Sequence, residues 1–418
     1  LLERFSDNFF ASSLILYSLS FLLSNQKIMN RNFDEIIDRR FTGAVKIEGL
    51  KTIWGREDLL PLWVADMDFR TPSFITEALR NRLDHGILGY SVYPDTWYSS
   101  IQQWLEKRHG WKVQRENIGF VPGIVPGIAL AIKCFTREGD KIMVQPPVYH
   151  PFFSIIKRNK RQLVYNSLVL EEGQYRMDFE KMERDIQGCK LFILCNPHNP
   201  AGRVWSKEEL SILADICKKN GVMVVSDEIH ADLTFPSFQH TCFARVSESA
   251  ATNSIIFMSP SKAFNIPGLA TSYYISENAD IFSRFDDYLG SSELDNGNIF
   301  AFIGSIAAYT EGEKWLGEVL DYINENIDFV ENFLQEGIPV IEMIRPQASF
   351  LIWLDCRKLN FTQEELVNLF VDKAHLALND GTMFGEREGT GFMRINVACP
   401  KSVLEQAMRQ LKQAVDSL

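Results

Sequence analysis

The chain has 418 residues, 46% of them hydrophobic and 23% charged, which is enough for two domains with ordinary globular cores. Its formal net charge of −11, with no basic block, excludes the electrostatic footprint of a nucleic-acid binder and suits a cytosolic protein that handles small molecules. Seven scattered cysteines without a CxxC pair give neither a disulfide framework nor a zinc site, and a thiol inside a run such as "LFILCNP" reads as a reduced core residue.

In chain order, the first feature is "FFASSLILYSLSFLL", residues 9–23, preceded by a single basic residue, Arg4. It is short for a membrane span and lacks the charged start of an export signal. Met29 then opens a polar stretch, "MNRNFDEIIDRR". Residues 1–28 are therefore expected to be an N-terminal extension foreign to the native protein, with a cleaved signal as the alternative. A cytoplasmic protein without membrane attachment is the expectation.

From about 118 to 276 short apolar runs alternate with longer amphipathic segments. The runs are "KIMVQPP", "KLFILCNP", "GVMVVSDE", "SIIFMSPS" and "TSYYISE". Between them, "SKEELSILADICKKNG" has a helical period, an opening Ser206 cap and a closing Gly221. Continuous apolar runs suit strands covered on both faces, hence an α/β fold with a mostly parallel sheet. Beyond residue 301 the texture changes. Residues 313–337 read as one long helix stopped by Gly337 and Pro339, followed by "SFLIWLDC", an amphipathic "TQEELVNLFVDKAHLAL", "FMRINVA" and a last helix from Ser402. The expected organisation is a segment 29–75 packing with the smaller domain, a large domain over 76–310 and a small α+β domain over 311–418.

In an open α/β sheet, ligands bind beyond the carboxyl ends of the strands. The runs deliver Tyr149, Asn199, Asp227 with His230, and Ser259-Pro260-Ser261-Lys262 to that edge. Upstream, "GFVPGIVPGIALAIKCF" places Gly123 at the start of an apolar helix whose free N–H groups could hold a phosphate. Each residue alone has an ordinary use: Tyr149 as core, Asn199 as a turn, Asp227 as a helix cap, Lys262 as a solvated charge. Together they supply what pyridoxal 5′-phosphate needs: a lysine to bond it, a carboxylate for its ring nitrogen, a stacking ring and a phosphate cradle.

The sequence resembles the fold-type I pyridoxal-phosphate enzymes of aminotransferase class I/II. Within them it is similar to the MalY/PatB group of cystathionine β-lyases, from about Asn32 to the C-terminus. "LPLWVADMDF", "PPVYHPF", "NPHNPAGRVW", "SDEIHADL" and "SPSKAFNIPGL" carry the likeness, "ADMDF" and "SDEIHADL" being specific to the group. The resemblance implies pyridoxal 5′-phosphate bonded to Lys262, its ring nitrogen on Asp227, its ring oxygen on Asn199 and its ring stacked on Tyr149, with His230 nearby. It implies a phosphate held by Gly123, Ile124, Val125, Ser259 and Ser261, with Tyr90 reaching it from the other subunit of a homodimer. Arg394, in "GFMRINVACP", would clamp the substrate α-carboxylate together with Asn199.

The likeness has departures. Ala270 stands where many class I/II aminotransferases have a phosphate-gripping arginine, which favours a lyase. His230 replaces a tyrosine of aspartate aminotransferase-like enzymes, and Asn379-Asp380 replace a more apolar pair near the entrance. The implied reaction is β-elimination of a thiol from L-cystathionine or another S-substituted cysteine, giving pyruvate and ammonia. Transamination of an L-amino acid is one alternative, and a regulatory binding protein that retains the cofactor is another.

Overall fold

The computed structural model describes residues 33–418, so the extension expected over 1–28 and the start expected at Met29 lie outside the described residues. The apolar runs form a seven-stranded sheet. In spatial order its strands are Ile118–Val121, Ser272–Ile275, Ser254–Met258, Met223–Asp227, Cys189–Cys195, Lys141–Val144 and Gln162–Tyr165. Only Ser272–Ile275 runs against the others.

The central strands are buried along nearly their whole length, because helices cover both faces. Helices Ile124–Phe135, Pro151–Arg158 and Ala279–Gly290 close one face around Val225, Ile255 and Phe257. Helices Asp95–His109, Lys207–Lys219 and Ile299–Glu311 close the other, in a core that runs on into the C-terminal region.

Helix 124–135 sits so close to the sheet that a Cβ on Gly127 would come within 2.7 Å of Phe257 and 3.0 Å of Val121. Gly127→Ala is therefore expected to destabilise the fold by about 1–3 kcal/mol through overpacking. A lower denaturation midpoint at unchanged slope in urea would show it.

Local signals placed the other elements. Ser206 caps helix Lys207–Lys219 in a reciprocal capping box with Glu209. The long helix spans Glu313–Gly337. After it comes an antiparallel four-stranded sheet in the order Glu342–Ile344, Leu351–Asp355, Phe392–Asn396, Asn379–Asp380. The amphipathic stretch from Thr362 is composite. It is α over Gln363–Asn368, a π turn over Leu369–Lys373, then a short strand, Leu376–Ala377, paired in parallel with Leu60–Pro61. All seven cysteines are free and buried. Among the described residues no helix is long and apolar enough to cross a membrane.

Candidate active site

Four parallel strands end side by side, and the chain leaves each into the same crevice. Met223–Asp227 ends on Asp227, flanked in register by Cys195 and Phe257. Asp227 is 4% exposed, and its carboxylate accepts one backbone N–H, from Ile229 at 3.1 Å. Burial raises its pKa to about 7; the Ile229 N–H opposes this, neighbouring Glu228 adds to it and Lys262 opposes it. A carboxyl held so dry, with an oxygen that no described side chain donates to, suits a cationic N–H partner.

The strand Ser254–Met258 leads through Ser259 to Lys262. This lysine is half-buried, and its amine donates to the Ala65 carbonyl. Burial lowers its pKa to about 8, with Asp66 opposing, Arg394 reinforcing and Asp227 opposing. Lys262, Ala65 and Asp66 line one wall of a cavity of about 1170 Å³. A lysine that sheds its proton near neutrality is suited to bond a carbonyl group and to take a proton from carbon.

Gly123 adopts φ +125°, in the range that favours glycine, and opens helix Ile124–Phe135. Among the described residues no side chain caps that helix, which leaves its first N–H groups, including those of Ile124 and Val125, for an anion. Val121 pairs with Ser272, and the adjoining Thr271 carbonyl accepts from Ser259 Oγ at 2.5 Å, so Gly123 and Ser259 share one edge. Ser259 Oγ also lies 2.8 Å from Ser261 Oγ. With Ser259's proton on the Thr271 carbonyl, the Ser261 hydroxyl donates to Ser259 Oγ, and it is the one of the two that could turn its proton to an anion.

Tyr149 is half-buried, packs edge-on against His150 and Phe152, and its phenol is pushed up to about 12, first by burial and then by Asp227. His230 is buried, its Nδ1 has no partner among the described residues, and burial with Lys262 and Arg394 lowers it to about 3, so its imidazole is neutral.

Arg394 arrives from the small sheet and is 3% exposed. One of its terminal nitrogens donates to Asn199 Oδ1 at 2.9 Å; the other donates to Asn379 Oδ1 at 2.6 Å and the Trp63 carbonyl at 3.2 Å. Its carbon stands 4.7 Å from the centre of the Phe384 ring, and its buried Nε has no partner among the described residues. Burial lowers its pKa to about 10, which leaves it charged at neutral pH. An aligned guanidinium with an unmatched N–H is a receptor for a carboxylate.

Of the residues singled out in the sequence, Lys262 lines the cavity, Asp227, Tyr149, His230 and Arg394 lie within reach of one another's charge or of Lys262's, and Asn199 bonds Arg394; Tyr90 stands fully exposed on the segment between helices Ser73–Asp84 and Asp95–His109. Other residues here escaped sequence reasoning. Asp66 and Asp68 meet Arg39 at 2.6 and 2.8 Å, and Asp68 meets the wholly buried Lys46 at 2.8 Å. "ADMDF" was visible as a group signature, but the partners of its acids lie 20 to 29 residues away with no periodic link to it. Asn379, read as an entrance residue, instead holds Arg394. The donor set fits pyridoxal 5′-phosphate: an open buried carboxylate, a lysine of lowered pKa and an uncapped helix end meet at one sheet edge.

The family model for aminotransferase class I and II matches residues 57–411. Cystathionine beta-lyase PatB of Bacillus subtilis is 42% identical to this chain, over 92% of it and 100% of PatB. Protein MalY of Escherichia coli is 32% identical over 92% of this chain and 98% of MalY. Among solved structures, cystalysin from Treponema denticola, which contains a pyridoxal 5′-phosphate cofactor, superposes with a TM-score of 0.89 at 33% identity, covering 92% of this chain and 98% of cystalysin. The chain belongs to the aminotransferase class I and II family, within the group that includes PatB and MalY.

Proposed function

We propose that this chain is a pyridoxal-phosphate-dependent carbon–sulfur lyase that releases a thiol from L-cystathionine or a related S-substituted L-cysteine. The observation that carries the reading is the convergence of Lys262, Asp227 and Arg394 on one crevice, in a chain 42% identical to a cystathionine beta-lyase along that relative's full length. Bound there, pyridoxal phosphate supplies the electron sink that acidifies the substrate Cα–H.

The chain's own residues divide the remaining work. The N–H groups at Gly123-Ile124-Val125 and the hydroxyls of Ser259 and Ser261 would hold the phosphate, the Ser261 hydroxyl turning to it from Ser259, which also accepts the Ser261 backbone N–H. Asp227 keeps a proton on the ring nitrogen, and a cationic partner returns its carboxyl to the ionised form that burial alone disfavours. Asn199 would serve the ring oxygen and Tyr149 would stack on the ring, with His230 kept neutral by its burial. Arg394, held by Asn199 and Asn379, takes the α-carboxylate and sets the Cα–H before Lys262. The Lys262 amine removes that proton, the Cβ–S bond breaks with its electron pair leaving on sulfur, and the thiolate is protonated. Hydrolysis of the three-carbon remainder gives pyruvate and ammonia.

We also infer a homodimer in which Tyr90 of each subunit serves the other's phosphate. The exposed apolar side chains of Ile87, Leu88 and Val92 around Tyr90 support it. Seven free buried thiols support action in the reducing cytoplasm.

The test is a purified enzyme with L-cystathionine and no oxo acid. Equimolar pyruvate and homocysteine over many turnovers are expected. A single turnover, with activity restored by an added oxo acid, would make the chain an aminotransferase. Arg394→Lys keeps the charge but loses the paired donors, so kcat/KM is expected to fall about 10- to 100-fold, mostly through KM. Initial rates across substrate concentrations separate the two parameters.

A further inference from the structure

The residues 63–69 form a strip that both ends of the site hold by its backbone. At the arginine end, Arg394 donates to the Trp63 carbonyl at 3.2 Å, and the Asn396 amide donates to Val64 at 2.6 Å and Asp66 at 2.7 Å. In the middle, Lys262 donates to Ala65, and Lys46 also reaches the Asp66 carbonyl at 3.2 Å. At the lysine end, the Asn265 amide donates to Met67 at 3.0 Å and Phe69 at 2.9 Å, while its oxygen accepts the Met67 N–H at 3.0 Å.

Five consecutive carbonyls, from Trp63 to Met67, are thus each engaged by a side chain. Surface loops leave such groups to water. Asn265 and Asn396 spend these amides on fastening the strip. Asn265 does so from φ +53°, a left-handed conformation that asparagine tolerates better than most residues. It lies three residues after Lys262, and Asn396 lies two after Arg394 on the same strand. The acids of the strip are tied from outside as well, Asp66 by Arg39 and Asp68 by Arg39 and Lys46.

We propose that the strip 63–69 spaces the Lys262 amine from the Arg394 guanidinium, with Asn265 its positioning residue on the lysine side and Asn396 on the arginine side. This deepens the lyase reading above and rests on it. An amino acid whose carboxylate sits on Arg394 presents its Cα–H at a fixed place, so a base that is misplaced by about an ångström loses rate by up to about 10²-fold. The Ala65 carbonyl gives the amine its hydrogen bond, and Asp66 supplies a counter-charge in the same wall. The other charged groups facing Lys262 are Arg394, Asp227 and Lys46.

The experiment uses the holoenzyme of three proteins: the parent, Asn265→Asp and Asp66→Asn. Asn265→Asp keeps the size and the acceptor but loses both donors to the strip. Each protein is assayed for thiol release, for loss of Cα deuterium from labelled L-alanine into solvent, and for the pH at which the bound cofactor's visible absorption changes. For Asn265→Asp, kcat and the deuterium loss are expected to fall together by about 10-fold or more, with KM and cofactor affinity within about twofold of the parent. For Asp66→Asn, the absorption midpoint is expected to move down by about one pH unit, because a negative charge beside the amine is gone.

Unchanged deuterium loss in Asn265→Asp, or a rate loss explained by weakened cofactor binding, overturns the proposal. If Asn265→Asp does not fold, Asn396→Asp, which removes the two donors on the arginine side, decides, and unchanged kcat and deuterium loss there overturn it. A parent enzyme that neither exchanges deuterium nor releases thiol would instead overturn the lyase reading itself.

Discussion

Replacing Lys262 by alanine is expected to end sustained pyruvate release from L-cystathionine, a loss of at least about 10³-fold in kcat, because a positioned base and the covalent attachment go together. The variant should fold. Among the described residues the removed amine makes one hydrogen bond, to the Ala65 carbonyl, and no direct ion pair. Its burial also disfavours its charged form, since folding lowers the lysine pKa from 10.5 to about 8. For a base lowered in the folded state, the unfolded chain takes up a proton that the folded chain refuses. The resulting destabilisation is absent above about pH 10.5, grows as pH falls towards 8 and is complete below it. Cofactor-free Lys262→Ala should therefore melt above the parent at neutral pH, and the two should converge in strong alkali. Thermal melts of both proteins across that range measure the difference, and pyruvate assays of the loaded proteins measure the loss. Undiminished turnover would remove Lys262 from the mechanism.

What the sequence made legible about this site is what is written locally. A strand buried on both faces shows as an unbroken apolar run, and the residue where it breaks is the one presented at the sheet edge, which is how Lys262, Asp227 and Asn199 could be picked out. Helix limits were readable for the same reason: Ser206 with Glu209, and Gly337, act within one turn of themselves. The strip 63–69 was not readable as a scaffold, because its partners Asn265, Arg394 and Asn396 are about 200 to 330 residues away in sequence. Nor was the role of Asn379, which faces Arg394 only through the antiparallel register of two short strands. The segment after Thr362 was legible only as amphipathic. Its helical period is real, but pairing with Leu60–Pro61 turns its end into a strand. The Thr271 carbonyl that accepts the Ser259 proton likewise lies beyond any local motif.

Asp227→Asn is the second substitution expected to cost most, about 10²- to 10³-fold in kcat, the scale of removing one charged group placed to stabilise a developing charge. The amide has nearly the shape of the carboxylate and can still accept the Ile229 N–H, so geometry is kept while the negative charge is lost. Turnover should fall with little change in KM, since Arg394 and not Asp227 is assigned to the substrate carboxylate. The stability effect has the reverse sign. Burial raises the Asp227 pKa from 3.8 to about 7 in the cofactor-free fold. An acid raised in the folded state contributes stability that is fully present below about pH 4 and is lost as pH rises through 7. Without cofactor the asparagine variant should thus be more stable than the parent above neutrality, by on the order of a few kcal/mol, with the gap closing in acid. Adding pyridoxal phosphate should invert the ranking, because only the parent can set a carboxylate against a protonated ring nitrogen. Denaturation midpoints of both proteins at about pH 8, with and without cofactor, decide it. A parent that is the more stable in both states would mean that its Asp227 is not the dry, open carboxyl from which this role is argued.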